Sequence, residues 1–331
     1  MVEVVRAAEA KLVLVGDPHQ LGAVGPGGLF RTLVDDHGAH ELETVRRFAN
    51  AWEAAASLRL RARDPSILPT YLAKDRLAEG SRAAMVEDAL LAWRAGRAAG
   101  EDVLVMTGDN ESAAELARRC RAELVAAGVV EADGVRIASG LAGIGDEVVT
   151  LRNDRRLRPS PSEFVRNGAR WRVTDRGEDG SLTVVPLAGE GTVTLPSEYV
   201  AEHVGLAYAL TVHKAQGTTS DRAVVLVDEA MTAAQLYVGM SRGRQENRAL
   251  VVTNDADADE HARRPGLSGM ELLIQVMRRQ DGDVTAHEVL RANLVRSEDR
   301  ELLNGLRSVV KEHIEREAGP DLRGRIAALE Q

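Results

Sequence analysis

The chain has 331 residues, of which 44% are hydrophobic and 28% charged, with a formal net charge of −9. That balance fits a globular protein of two or three domains with a real core, and excludes a chain that coats nucleic acid through overall basic charge. No run of 18 apolar residues is present to span a membrane, no signal peptide is expected from the opening residues, and the single Cys120 excludes an internal disulfide framework and suits the cytoplasm.

The first predicted element is a short apolar strand, Leu12, Val13, Leu14 and Val15, inside KLVLVGDPHQLGAVG (11–25). A continuous apolar run of this length is the pattern of a strand buried in a parallel sheet. Gly16 permits a tight turn at its end, and Asp17 and Gln20 then present an acceptor and an amide where α/β folds bind ligands. Further on, Val86, Ala89, Leu90 and Trp93 share one helical face, as do Ala113, Leu116, Cys120 and Leu124, with a cap expected near Asn110 or Ser112. Between these helices, VLVM (103–106) reads as a second buried strand, so strands and helices alternate as in an α/β layer.

The pattern changes over residues 141–205. Short β-rich runs, RWRVTD, LTVVPL and TVTL, are separated by the turn sequences RGEDGS and AGEG. A small antiparallel, barrel-like insertion is expected here. It opens on an arginine-rich stretch: residues 152–172 hold Arg152, Arg155, Arg156, Arg158, Arg166, Arg170 and Arg172 against Asp154 and Glu163. Lysine is scarce by contrast, at positions 11, 74, 214 and 311.

The α/β pattern resumes at AYALTV (207–212) and runs into TVHKAQGTT. His213, Lys214, Gln216 and Thr218 offer donors beside a permissive Gly217, a grouping suited to phosphodiester oxygens or to an ordinary solvated strand end. AVVLV (223–227) is a third buried strand. Its continuation, Asp228-Glu229, imitates a metal-binding Walker B acid, but no G-x-x-x-x-G-K-[ST] stands anywhere in the sequence to partner it. In QLYVGMSRGR (235–244), Leu236, Gly239 and Met240 are expected to face a core while Arg242 and Arg244 project together. DADADE (255–260) reads as a linker, and Leu302, Leu303, Leu306, Val309, Val310 and Ile314 form a helical stripe in the tail. His37 and His40 lack a partner set with metal-ligand spacing, and Cys120 on an apolar helix face reads as core.

Singly these motifs are weak. Their order is more specific: GDPHQL, TVRRF (44–48), VLVMTGDN, a β insertion, LTVHKAQG and LYVGMSRGR. The ordered set resembles superfamily 1 DNA helicases of the RecD-like branch, most closely the helicase region of conjugative relaxases of the TraA and TrwC kind. The resemblance implies an ATP- and Mg²⁺-using enzyme acting 5′ to 3′ on single-stranded DNA. It also implies a layout: a remnant of the first RecA-like domain over 1–50, a second RecA-like domain (2A) over 51–140 and 206–255, an SH3-like barrel over 141–205, and a helical tail over 256–331.

By position, Gln20 resembles the glutamine that links the γ-phosphate to DNA, with Asp17 beside it at the nucleotide. Arg47, with Arg46 as its neighbour, resembles a nucleotide-contacting arginine. Thr211, His213, Lys214, Gln216 and Gly217 match the DNA-touching motif, and Arg242 matches the arginine finger. In the barrel, Arg155, Arg156 and Arg158 fit a phosphate-tracking surface. The family's P-loop and metal-binding acid have no counterpart in these 331 residues. The expectation is therefore the C-terminal portion of a helicase, truncated or half of a split enzyme whose other half carries the P-loop, and inactive alone. A non-catalytic single-stranded DNA-binding module is the alternative, and a complete hydrolase with an unrecognised site a third reading.

Overall fold

The computed structural model describes residues 2–21, 29–41, 45–254 and 267–279. Chain contacts divide it into two units, one formed by 1–18, 22–40 and 282–331, the other by 19–21 and 41–281.

In the first unit, helix α1 (Val2–Ala7) leads into an irregular segment, and helix α2 (Leu29–His37) follows. Arg31 of α2 donates from Nε and Nη2 to the Pro18 carbonyl, at 3.1 and 2.9 Å. The strand expected over residues 12–15 is not formed. Leu12, Val13, Leu14 and Val15 have no ladder partner among the described residues and are 40, 67, 47 and 90% exposed. An apolar run becomes a strand only when neighbouring strands take its N–H and C=O groups.

The second unit is built on a parallel sheet. Its elements are helices α3 (Ala51–Arg61) and α4 (Leu68–Ala73), strand β1 (Leu77–Ser81), helix α5 (Arg82–Ala98), strand β2 (Val103–Thr107) and helix α6 (Asn110–Ala126). A hairpin follows, β3 (Val135–Ile137) with β4 (Gly140–Ala142), then strands β5 (Glu147–Thr150), β6 (Arg170–Arg176), β7 (Leu182–Pro186) and β8 (Val193–Leu195). Helix α7 (Ser197–His203) leads to β9 (Val204–Leu206), β10 (Ala209–Thr211), β11 (Ser220–Val227), helix α8 (Ala233–Gly239), β12 (Gly243–Asn254) and helix α9 (Gly269–Arg278).

The parallel sheet has the order β1-β12-β11-β2-β10, every adjacent pair parallel. Its strands are covered on both faces, and the period-2 alternation of side chains sorts their residues between two cores. Val103, Val105, Val224 and Leu226 pack with Val86, Leu90 and Trp93 of α5 and Leu116 and Cys120 of α6. Leu104, Met106, Val225 and Val227 pack on the other face with Leu60 of α3, Tyr71 of α4, Leu236 of α8 and Leu273 of α9. The two predicted helical faces are thus both in the core. The α6 cap is Asp109, whose carboxylate accepts the Ser112 N–H at 2.8 Å, so the cap lies just ahead of the two residues expected for it.

The inserted β region forms a five-stranded antiparallel sheet of order β8-β7-β6-β5-β9, with β8 and β9 at its two ends. Its join to the parallel sheet is a buried polar knot. Asp146 accepts from Tyr208 Oη, Arg121 Nε and the Gly143 N–H, each at 2.8 Å, and Tyr208 Oη accepts the Glu147 N–H at 3.0 Å. Burial and the neighbouring Asp146 carboxylate push the Tyr208 hydroxyl pKa up, so it stays a donor. Of the tail, α9 is described, and its capping box is formed by Ser268 and Glu271. The linker over 255–260 and the stripe from Leu302 to Ile314 lie outside the described residues.

Candidate functional site

Arg47 and Arg242 are brought together. β11, α8 and β12 form a strand–helix–strand turn, and α8 is started by a capping box of Thr232 and Gln235. Leu236 and Met240 are 2% exposed and Gly239 is buried, so the helix presses its apolar face on the sheet as expected. Just past α8, Arg242 Nε donates to the Val238 carbonyl at 2.9 Å and Nη2 donates to Ser241 Oγ at 3.1 Å. Arg47 Nη1 donates to the Ser241 carbonyl. The two guanidinium groups therefore bind the same residue from opposite ends of the sequence. The pairing continues along both segments: the Ala49 N–H donates to the Arg244 carbonyl at 2.7 Å and Asn50 Nδ2 to the Gln245 carbonyl at 2.9 Å.

One expectation fails here. Arg242 and Arg244 do not project together: Arg242 is 1% exposed, whereas Arg244 is exposed and lies 3.6 Å from Asp221. Arg242 lies in the turn between α8 and β12, with its guanidinium turned inward to the Val238 carbonyl and Ser241 Oγ, whereas Arg244 is already in the strand, so no single period relates the two.

Gln20 is half-buried, and Leu21 after it joins the core cluster that also holds Val238 and Met240. Asp17 is half-buried in the first unit.

The DNA-motif residues sit where β10 ends. Thr211 pairs with Thr107 at the carboxyl end of the sheet and is 5% exposed. Its hydroxyl accepts the Lys214 N–H at 3.3 Å, and the Ala215 N–H donates to its carbonyl at 3.0 Å, closing one tight turn. His213, Lys214, Gln216 and Gly217 are exposed on that turn. Lys214 Nζ donates to Asn110 Oδ1 at 2.8 Å, at the start of α6. Desolvation lowers its pKa, and among the described residues no carboxylate forms an ion pair with it. Gly217 holds φ +86 with open space around it, a conformation other residues adopt at a cost.

From Gln216 the chain crosses back to the amino edge of the sheet, where Ser220 pairs with Gly243. Here Gln216, Gly217, Thr218 and Thr219 line a groove of about 1280 Å³ with the antiparallel sheet and its loops. The arginines of the basic stretch that line it are Arg166, Arg170 and Arg172, not Arg155, Arg156 or Arg158. Their charge is largely met within the protein. Arg170 is bidentate to Asp102 at 2.9 and 2.9 Å, Arg172 reaches Glu147 at 3.4 Å, and Arg166 reaches Glu163 at 3.4 Å. Outside the groove, Arg156 pairs with Asp154 at 2.8 Å and holds that carboxyl at a pKa of about 2. Arg158 donates to the Pro161 carbonyl at 3.0 Å, and Arg155 lies over the Phe164 ring, 5.7 Å from its centre. A run of arginines in sequence is thus not a run of unpaired charge in space.

The Walker B imitation is resolved. Asp228 Oδ1 accepts the Ala230 and Met231 N–H groups at 2.9 and 3.2 Å, a turn at the strand end. Among the described residues no group of three His, Cys, Asp or Glu is placed to hold a metal. Sequence reasoning missed Glu53 and Asn247, fully buried polar residues beside the arginine pair. The available signal was Glu53 standing within the small, apolar run AWEAAASL, which reads more simply as an acid in a first helical turn.

The chain resembles parts of known proteins. A family model described as an AAA domain matches residues 1–82. The probable conjugal transfer protein TraA of Sinorhizobium fredii NGR234 is 30% identical over 254 residues, 74% of this chain and 22% of that protein. TraA of Agrobacterium fabrum C58 is 32% identical over 250 residues, again 74% and 22%. The chain belongs with a region of TraA-type conjugal transfer proteins. This TraA-type region spans about a fifth of the length of those relatives, 22%. The uncharacterised protein MT2373 of Mycobacterium tuberculosis is 31% identical over 133 residues, 40% of this chain and 73% of that one. Among solved structures, a Bacteroides Pif1 helicase in complex with ADP-AlF3 and ssDNA aligns at 17% identity over 79% of this chain and 64% of its own, with a TM-score of 0.42.

Proposed function

We propose that this chain is the part of an ATP-dependent 5′-to-3′ DNA helicase, of the conjugative-relaxase kind, that supplies one side of the nucleotide site and contacts to single-stranded DNA. The observation that carries the reading is the convergence of Arg47 and Arg242 on Ser241. Arginine is suited to the task, since its guanidinium is always charged and spreads donors in a plane that meets phosphoryl oxygens. Arg242 takes the finger role, Arg47 stands beside it, and Gln20 senses the γ-phosphate. Thr211, His213, Lys214, Gln216 and Gly217 contact the DNA backbone. Lys214 is the best placed of them, because its ammonium is held by a neutral amide and its charge is still available to a phosphate. The antiparallel sheet takes the place of the SH3-like domain over the strand, with Arg155, Arg156 and Arg158 in the connection from β5 to β6.

The residues present fit one side of an ATP–Mg²⁺ site. Arg47, Arg242 and Gln20 would face the nucleotide, and a metal bound with it would supply charge that offsets the phosphates. The sequence holds no P-loop, and no acid cluster among the described residues suits the metal. Hydrolysis therefore calls for a phosphate cradle and a metal-binding acid from a P-loop-bearing domain. The test is to mix the chain with a separately expressed P-loop-bearing helicase half of the TraA type and measure ATP turnover with single-stranded DNA. The expected result is turnover in the mixture that Arg242→Ala lowers by about 10³ or more, with Gln20→Ala weakening stimulation by DNA. Turnover in the mixture that is indifferent to Arg242→Ala would remove the arginine reading.

A second reading, a non-catalytic single-stranded DNA-binding module, is favoured by the 1% exposure of Arg242, whose Nε is committed to the Val238 carbonyl. It predicts that Arg242→Ala changes stability and leaves DNA affinity and turnover alike untouched.

A further inference from the structure

Behind the two arginines lies a buried carboxylate that no role assigned so far uses. Glu53 stands in the first turn of α3, six positions after Arg47, and is 0% exposed. Its Oε1 accepts two donors from one residue, the Asn247 backbone N–H at 3.0 Å and Asn247 Nδ2 at 2.9 Å. Asn247, also 0% exposed, passes the link on. Its Oδ1 accepts the Gly243 N–H at 2.7 Å and its Nδ2 donates to the Gly243 carbonyl at 3.0 Å. Gly243 is the residue bonded to Arg242. It has no slack: an added Cβ would stand 2.1 Å from the Glu246 carbonyl oxygen and 2.9 Å from the Ala223 nitrogen.

Glu53 thus completes a ladder between two segments almost 200 positions apart. Arg47 binds Ser241, Ala49 binds Arg244, Asn50 binds Gln245, and Glu53 binds Asn247. A ladder in register fixes the separation of whatever its two rails carry, here Arg47 on one and Arg242 on the other. A buried acid is a costly rung, because desolvation opposes its charge and burial holds its pKa up. Its second oxygen, Oε2, has no hydrogen-bond partner. Packing alone would be served by an apolar residue of the same size. What the carboxylate adds is two hydrogen bonds to one atom, stronger than neutral ones when it is charged, aimed at a single residue.

We propose that Glu53 is the positioning residue of the Arg47–Arg242 pair, acting through Asn247 and Gly243 to hold the two guanidinium groups in one fixed arrangement. That role rests on the reading of the two arginines as the nucleotide-facing side, whereas the ladder itself does not.

The experiment uses the whole chain, with the Nε–Hε resonances of Arg47, Arg242 and, as a remote control, Arg170 observed by ¹H–¹⁵N NMR. Glu53→Ala is expected to shift or broaden both Arg47 and Arg242, leave Arg170 in place, and speed exchange of the Gly243 amide about tenfold. Glu53→Gln keeps the Oε1 acceptor and is expected to restore both arginine signals. Should Glu53→Ala not fold, Asn247→Ser removes the same rung and is expected to give the same pattern. Unmoved Arg47 and Arg242 signals in either variant would overturn the proposal. So would a change of equal size at Arg170, which would mark Glu53 as general core. A separate arm, ATP turnover in the reconstituted mixture, keeps the two ideas apart. If Glu53→Ala displaces the arginine signals while Arg242→Ala leaves turnover unchanged, the nucleotide reading has failed and the positioning role stands.

Discussion

Two stretches of this chain are nearly the same sequence and take opposite structures. Residues 12–15 read LVLV and run into Gly16-Asp17; residues 224–227 read VVLV and run into Asp228-Glu229. The second stretch lies between β12 and β2, is at most 3% exposed, and uses its terminal acid to cap a turn. The first has no ladder partner among the described residues, and Val15 in it is 90% exposed. Apolar composition is the same in both, so composition does not decide the outcome. Strand formation is a property of a pair, since each N–H and C=O needs a partner across the ladder and each side chain a face to pack on.

The widest separation is expected from thiol labelling. Burial pushes the Cys120 thiol up to about 12, and its residue is fully enclosed on α6. In a Val13→Cys variant, a disulfide-exchange reagent at about pH 8 should modify the introduced thiol more than about a thousandfold faster than Cys120. Equal rates would mean that residues 12–15 are covered in solution. Next in size are paired truncations. Leu104→Ala should cost about 2–5 kcal/mol by denaturant unfolding, as expected for an enclosed strand residue, and Leu14→Ala less than about 0.5 kcal/mol. Glycine substitutions give a third contrast. Gly243→Ala drives a Cβ into backbone and should cost about 3 kcal/mol. Gly16→Ala meets the Phe30 ring at 3.3 Å, which can turn aside, and should cost less than about 1 kcal/mol.

The smallest effect concerns charge. Binding of single-stranded DNA should weaken with salt, and Lys214→Ala should flatten the log–log slope by about 0.7. Removing Arg155, Arg156 and Arg158 together should flatten it by about 1, less than three independent cations would give, because Arg156 is held by Asp154. A slope unmoved by either change would take the DNA surface elsewhere on the molecule.

Where a residue's fate depends on its own segment, the sequence was informative. The buried strands β2 and β11, the helical faces through Trp93 and Cys120, and the apolar face of α8 were all readable, because apolar runs and helical period are local. The same holds for the motif order that identifies the helicase-like region. What depended on distant residues was not readable. Whether residues 12–15 form a strand turns on neighbours, and whether seven arginines make a basic surface turns on carboxylates such as Asp102, 68 positions from its partner Arg170. Arg242 was legible as a candidate site residue but not as a buried one, and the ladder from Arg47 to Glu53 could not be inferred from either motif alone.

On this reading the chain is one side of a nucleotide site, with arginines held in place and no phosphate cradle of its own. ATP turnover by the purified chain alone, measured with and without single-stranded DNA, tests that claim most directly. The predicted result is no turnover above background under either condition, in wild type and Arg242→Ala alike. DNA-stimulated hydrolysis by the isolated wild-type chain, lost in Arg242→Ala, would contradict it.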